Sequence, residues 1–269
     1  MLKEYLTNIA NAIRSKLGTE DKLNAQDFAD KINEVYDKGR TDEWSDFWDD
    51  FQENGNRISY EGAFGCYIDA KSYWSDVTFN PKYPIITNSA HRLFKGTKIT
   101  DLTKKLKECG VYLDVSNAKD INQAFGYSSS ILTVPELDIR KATTVTSLFA
   151  CDFNLHTVDK IILSENNNLT FTEFAYLCHR LKEIRFEGKI PKTINFSWSP
   201  LSIESMKSII SCLKNHSGTT NEATQTISFT ESCWTNLEES TSPYEDGLTD
   251  NKELSWQDYI QTSLGWLVA

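Results

Sequence analysis

The sequence lacks the features that commit a chain to a membrane, to nucleic acid or to export. No uncharged apolar run reaches the roughly 18 residues of a membrane helix. No Lys/Arg cluster is present, and 28 basic against 38 acidic side chains give a formal charge of −10, which argues against nucleic acid as the main partner. The N-terminus, MLKEYLTNIANAIRSK, has neither the apolar core nor the cleavage site of a signal peptide. We therefore expect a protein that is made in a cytoplasm and does not insert into membranes.

Recognisable catalytic and metal-binding motifs are also missing. The six cysteines are scattered without a CxxC pair, so we expect reduced, mostly buried thiols rather than a disulfide framework. No phosphate loop, GxGxxG, GxSxG or HExxH occurs, and the four histidines are not spaced as ligands. The sequence thus predicts no catalytic residue, no cofactor and no metal. A carboxylate pair for glycoside hydrolysis stays open, because 38 acids offer many pairs.

The first domain that we predict, residues 1–39, is a pair of short helices. The second helix begins at Asn24 as its N-cap and ends at Gly39, and Gly18 ends the first. The apolar stripe of the first helix is close to a heptad seam, which favours a trimer or dimer, with packing onto the rest of the chain as the alternative. The stripe consists of Leu2, Leu6, Ile9, Ile13 and Leu17.

Residues 40–60 are predicted to form an aromatic amphipathic helix and a linker. Trp44, Phe47, Trp48 and Phe51 lie at helical spacing, and acidic side chains cover the other face. We interpret the aromatics as a buried stripe and the acids as a solvated face. A sugar-stacking platform or a catalytic carboxylate cluster is the alternative.

Residues 61–198 carry a repeat. Phe94, Phe125, Phe149 and Phe174 are separated by 31, 24 and 25 residues, and an apolar ladder follows each of the last three. A unit of about 24 residues that alternates a Phe-bearing turn with a short strand is typical of a leucine-rich-repeat solenoid. We also expect Cys151 and Cys178 to face inward. The predicted solenoid core contains Phe125, Leu132, Phe149, Leu155, Phe174 and Leu181.

Residues 199–269 break the period and predict an α/β C-terminal cap. Ser202 is the expected N-cap of one helix, and residues 224–230 alternate as a strand. Gly265 is expected to end the last helix ahead of a short strand at 266–268. The predicted fold class is therefore α+β: a helical hairpin module, a short leucine-rich-repeat solenoid and an α/β cap.

These segments resemble a known family. IANAIRSKLGTEDKLNAQDFADKINEV looks like a helical module common at the N-terminus of phage and prophage structural proteins of gut bacteria. The Phe-started repeats, YEGAFGCYIDAKSYWSDVTFNPKYPII and the closing PLSIESMKSIISCLKN and LGWLVA are similar to BspA-like leucine-rich-repeat proteins encoded in such phages. The resemblance implies a virion protein of the tail-fibre, tail-tip or baseplate type.

The function expected from this resemblance is binding rather than catalysis. The solenoid would contact a host cell-surface protein or glycan, and the N-terminal helices would bind other virion proteins or further copies of the chain. A bacterial surface adhesin, a surface-polysaccharide depolymerase and a cytosolic interaction module are the alternatives.

Overall fold

The computed structural model describes residues 11, 79, 81, 84–87, 89–165, 168–218 and 224–269. The chain divides into two units, Met1–Asn56 and Arg57–Ala269. The helical hairpin predicted for 1–39, with Leu2, Leu6, Ile9, Ile13 and Leu17, and the aromatic helix predicted within 40–60 lie outside the described residues, apart from Asn11.

The described part of the second unit is α+β, with short parallel strands and short helices. Its elements in chain order are β1 (Ile85–Ile86), α1 (Leu102–Cys109), β2 (Leu113–Asp114), β3 (Thr133–Val134), β4 (Leu137–Asp138), β5 (Thr157–Ile162), β6 (Glu183–Glu187), β7 (Ile194–Asn195), α2 (Ile203–Ser211), β8 (Gln225–Ser228), α3 (Glu231–Ser240), α4 (Trp256–Asp258), a π-helical turn (Tyr259–Ser263) and β9 (Trp266–Val268).

The strands pair in parallel across successive copies of the sequence repeat. β3 and β4 both pair with β5, in the registers Thr133↔Thr157 and Leu137↔Ile161, and β5 pairs with β6. Pro135 separates β3 from β4 because it has no N–H to donate to a ladder. The register between β5 and β6 shifts after Val158, where β5 accommodates one extra residue.

A column of phenylalanines fills the space beneath the turns. The rings of Phe94 and Phe125 stack with centroids 5.4 Å apart, and those of Phe125 and Phe149 stack at 5.6 Å. Phe174 instead meets Phe149 edge-on, with an interplanar angle of 86°. The Cys151 N–H donates to the Tyr176 carbonyl oxygen, as the Tyr127 N–H does to that of Ala150. This pattern aligns Phe149 with Ala175. Phe174 therefore lies one residue before the position that is equivalent to Phe125 and Phe149.

Leu132, predicted as a core residue, is exposed to 41%, so that prediction is wrong. Its neighbour Ile131 is fully buried. The Leu132 carbonyl oxygen accepts the N–H of His156, and the His156 carbonyl oxygen accepts that of Lys182. Leu132 therefore stands in an exposed column with His156 and Lys182, whereas Ile131 is the equivalent of the buried Leu155 and Leu181. The same alignment follows from the strands: Ile131, Leu155 and Leu181 each lie three residues before the paired residues Val134, Val158 and Ile184.

Helix α2 covers the far edge of β6 and satisfies its main chain. The hydroxyl of Ser205 accepts the N–H of Ile184, and that of Ser208 accepts the N–H of Phe186, both at 2.9 Å. Two helical serines thereby replace the next strand of the ladder. Ser202 accepts the Ser205 N–H at the start of α2, as its predicted role as N-cap requires.

The third sheet has the order β7-β8-β9 and is parallel throughout. The predicted strand within 224–230 and the predicted terminal strand at 266–268 are confirmed as β8 and β9. Gly265 has φ +73° between the last helical turn and β9, and a Cβ there would lie 2.8 Å from the Ser217 nitrogen. Only glycine fits this junction without displacing main chain.

Candidate binding surface

Two left-handed backbone positions recur in each turn of the repeat. The first is occupied by Gln123, Ser147 and Glu173, with φ of 54°, 53° and 52°. The second follows four residues later and is occupied by Tyr127, Cys151 and Leu177, with φ of 63°, 62° and 60°. Left-handed φ costs a non-glycine residue about 1–2 kcal/mol, and the main-chain hydrogen bonds to the next turn offset this cost.

These turns present a cluster of exposed aromatic rings, which we call the aromatic edge. Phe153 and His179 lie in parallel with centroids 6.1 Å apart, and Trp198 meets His179 at 5.6 Å and Tyr176 at 5.9 Å, edge-on in both cases. Phe153, Tyr176 and Trp198 are nevertheless 44%, 41% and 43% exposed. The rings therefore hold one another in place while parts of their faces stay in water.

The repeat register sets polar side chains beside the aromatic edge. Asn154 and Arg180 directly follow the stacked pair Phe153 and His179, and the Asn154 amide donates to the Ser129 carbonyl oxygen at 2.6 Å. Arg180 is exposed. His156 and Lys182, two positions further on, are both exposed and joined by a main-chain hydrogen bond.

Several acidic side chains lie around Asp159 and Lys160 of β5. Lys160 pairs with Glu136 at 2.9 Å and with Glu187 at 3.2 Å. Partial burial raises the pKa of Asp159, and the nearby carboxylates of Asp101 and Glu136 raise it further. Asp101 also accepts the Lys104 N–H as the N-cap of α1, which commits it to a structural role.

A column of small polar side chains lies buried behind the turns. Ser128 donates its hydroxyl to the Phe94 carbonyl oxygen at 2.8 Å, and the Cys178 thiol donates to that of Phe149 at 2.9 Å. Asp152 occupies the equivalent position between them and is fully buried. Its Oδ1 accepts the Ser128 N–H at 2.6 Å, while Oδ2 has no hydrogen-bond partner among the described residues.

Burial shapes the titration of this column. Desolvation raises the pKa of Asp152 well above its usual range, and the hydrogen bond from Ser128 only partly opposes it. Burial also raises the pKa of the Cys178 thiol. It raises the pKa of the Cys151 thiol as well, although Cys151 is less completely buried. Cys178 faces inward as predicted, whereas Cys151 is only half-buried and Asp152 takes the inward position beside it. The raised pKa values make these thiols poor nucleophiles.

A shallow cavity of about 520 Å³ lies beside α3. Phe229 and Trp234 form its apolar wall, and their rings meet at 4.8 Å. Glu238 borders it too, but its carboxylate accepts the N–H groups of Trp256 and Gln257 at the start of α4. That carboxylate is therefore occupied in joining two helices.

The remaining predicted core residues are buried and packed together. Phe125, Phe149 and Phe174 are at most 1% exposed, as are Leu155 and Leu181. None of them reaches the surface, so they support the turns rather than contact a ligand.

The exposed aromatics are the candidate residues that the sequence patterns missed. Phe153 and His179 are separated by the repeat length, yet a search for buried ladders overlooks an exposed pair. Trp198 comes from the segment in which the period breaks, so its proximity depends on the fold.

The described ranges show no group of three or more His, Cys, Asp or Glu side chains placed to hold a metal ion. Among the helices within them, none is long and apolar enough to cross a membrane. Comparisons with protein-family models, with curated proteins and with solved structures found no match to this chain.

Proposed function

We propose that the chain is a non-enzymatic phage virion protein that binds the host cell surface. In this proposal residues 61–198 form a short leucine-rich-repeat solenoid and residues 199–269 cap it. The parallel pairing of β3 with β5 and of β5 with β6, together with the stacked Phe column, supports the repeat. The serines of α2 on the β6 edge support the cap, since a repeat array needs a terminal cover.

The observation that carries the binding role is the aromatic edge. Phe153, Tyr176 and Trp198 stay more than 40% exposed although each contacts another ring of the cluster. Exposed aromatic clusters on turns held by a rigid scaffold are characteristic of recognition surfaces, because a stacked ring offers contact area with little entropy left to lose. Asp152 and Cys178 behind the turns are fully buried, so neither group reaches a ligand at the surface.

Attachment to the particle and self-association belong to the N-terminal helices in this proposal. Its support is the resemblance of residues 1–39 to phage modules and the apolar stripe from Leu2 to Leu17. The partners are further copies of the chain, as a trimer or dimer, and other virion proteins.

The experiment is a saturation binding assay with fluorescent full-length protein on intact cells of a panel of gut bacteria. We expect saturable labelling of some strains that unlabelled protein competes away, with a trimer or dimer by light scattering of the same sample. A monomer that labels no strain contradicts the proposal. Release of reducing sugar from labelled cells would replace it with the depolymerase alternative.

A further inference from the structure

The segments that form the aromatic edge carry a positive formal charge, although the protein as a whole is acidic. The segments that contain it, 153–156, 176–182 and 197–200, have no Asp or Glu, whereas the chain has 38 such residues and a formal charge of −10. The same segments supply His156, His179, Arg180 and Lys182, all exposed. Three carboxyl groups border these segments, and each is enclosed or hydrogen-bonded. Asp152 is fully buried, Glu183 accepts the Ser202 hydroxyl, and Glu173 accepts the Ser147 hydroxyl.

The two cationic residues, Arg180 and Lys182, follow the stacked ring of His179 by one and three positions. Phe153 and His179 stack across neighbouring repeats, and the main-chain bond from Lys182 to His156 continues the same register three residues later. Arg180 follows His179 directly. The exposed rings thus stand close in the chain to two exposed cationic side chains, a combination that suits a ligand with apolar C–H faces and anionic groups.

We propose that the aromatic edge binds an anionic polysaccharide that bears carboxylates, of the polyuronate type. Pyranose C–H faces lie against the electron-rich faces of Trp198 and Phe153, and the carboxylate of the sugar pairs with the Arg180 guanidinium. This inference rests on the proposed function, since it names the surface component that the protein contacts.

The area of the patch favours a sugar chain over an acidic protein. Phe153, Tyr176 and Trp198 together expose on the order of 250 Å², given their fractional exposure of 41–44%. A standard protein interface takes about 800 Å² from each partner. A few sugar rings need only the faces of the aromatics and the polar groups beside them.

The direct test is the binding of full-length protein to immobilised polygalacturonate, with neutral dextran as the matched polymer. We expect binding to polygalacturonate alone, weakening as salt rises from about 50 to about 500 mM because the ion pairs are screened. R180Q should weaken it about tenfold, as the loss of one charge-assisted pair does. K119Q, which removes an exposed cation from an earlier turn, should leave it unchanged.

Aromatic variants test the ring contribution separately. F153A and W198A should each reduce binding, and Y244A, which removes an exposed ring between α3 and α4, should not. R180Q is an exposed change and keeps the test valid if W198A fails to fold. Equal binding to dextran, or an R180Q protein that binds like K119Q, overturns the inference.

Cell assays separate this inference from the function on which it rests. Saturable cell labelling that R180Q does not weaken and that protease treatment of the cells removes would identify a protein receptor. That result would overturn the assignment of a polysaccharide ligand and leave the proposed binding to the cell surface intact. Capture by polygalacturonate without labelling of any strain would instead support the ligand chemistry and contradict the proposed function.

Discussion

Substitution of Asp152 by asparagine should stabilise the protein at neutral and alkaline pH. An ionised carboxylate that is fully buried costs several kcal/mol of desolvation. The hydrogen bond from the Ser128 N–H offsets about 2 kcal/mol of this desolvation cost. Oδ2 offsets none of it, because it has no hydrogen-bond partner among the described residues. An amide keeps the acceptor for Ser128 and adds an N–H donor, which is what Ser128 and Cys178 supply at the equivalent positions. We expect D152N to raise the free energy of unfolding by about 1–3 kcal/mol at about pH 8.

The direction of the pH dependence follows from the raised pKa of Asp152. The folded state holds the proton more tightly than the unfolded state, in which the pKa is near 3.8. At a pH below 3.8 both states are protonated, so wild-type protein has no ionisation penalty there. As pH rises through the window between that value and the raised folded pKa, wild-type stability falls, and D152N is free of this loss. The neighbouring thiol of Cys178 stays protonated in this range because burial raises its pKa as well.

The assay is urea unfolding of both proteins at about pH 5 and about pH 8, followed by tryptophan fluorescence. The difference in unfolding free energy should shift in favour of D152N as the pH rises. Ser128→Ala is the control, because it removes a neutral hydroxyl from the same column and should lower stability equally at both pH values. If D152N is less stable than wild type by the same amount at both pH values, the buried carboxyl is not the protonated, penalised group that the structure indicates.

Four further substitutions test the packing by the same unfolding assay. Phe149→Ala should lower the free energy of unfolding by about 3–5 kcal/mol, and wild-type stability would refute its place in the buried column. Ile131→Ala should cost about 2–5 kcal/mol and Leu132→Ala less than about 0.5 kcal/mol, and a reversed order would contradict the register. Ser205→Ala should cost about 1–3 kcal/mol, since it leaves the Ile184 N–H unpaired, and it would be harmless if α2 did not cover the strand.

Local signals in the sequence located the caps and ends of the C-terminal elements. Ser202 is the N-cap of α2, and Gly265 precedes β9, because capping and positive φ depend on residues close together in the chain. The α+β class follows from the same alternation of helical and strand periods. These features need no knowledge of distant contacts.

The register of the repeat was harder to predict. Counting from Phe174 misplaces the fourth repeat by one residue. The repeat that begins at Phe149 is 26 residues long, two more than the one before it, and Ala175 takes the equivalent position. Leu132 and Ile131 are both apolar neighbours, so the sequence alone does not tell which of them is buried. Only the hydrogen bonds to the neighbouring repeats distinguish them.

The aromatic edge depended on contacts between distant segments. Trp198 lies beyond the last repeat, yet it meets His179 and Tyr176. A pattern search that assigns aromatics to the core has no reason to set these rings on the surface. Asp152 was missed for the opposite reason, since a lone acid in a turn is expected to be solvated.

The measurement that tests the account most directly is the labelling of intact cells by the F153A/W198A double variant, compared with wild type and Y244A by flow cytometry. Circular dichroism of each protein checks that it is folded. We expect the double variant to lose saturable labelling and Y244A to keep it. Equal labelling by all three folded proteins would show that the aromatic edge does not contact the cell surface and would contradict the central claim.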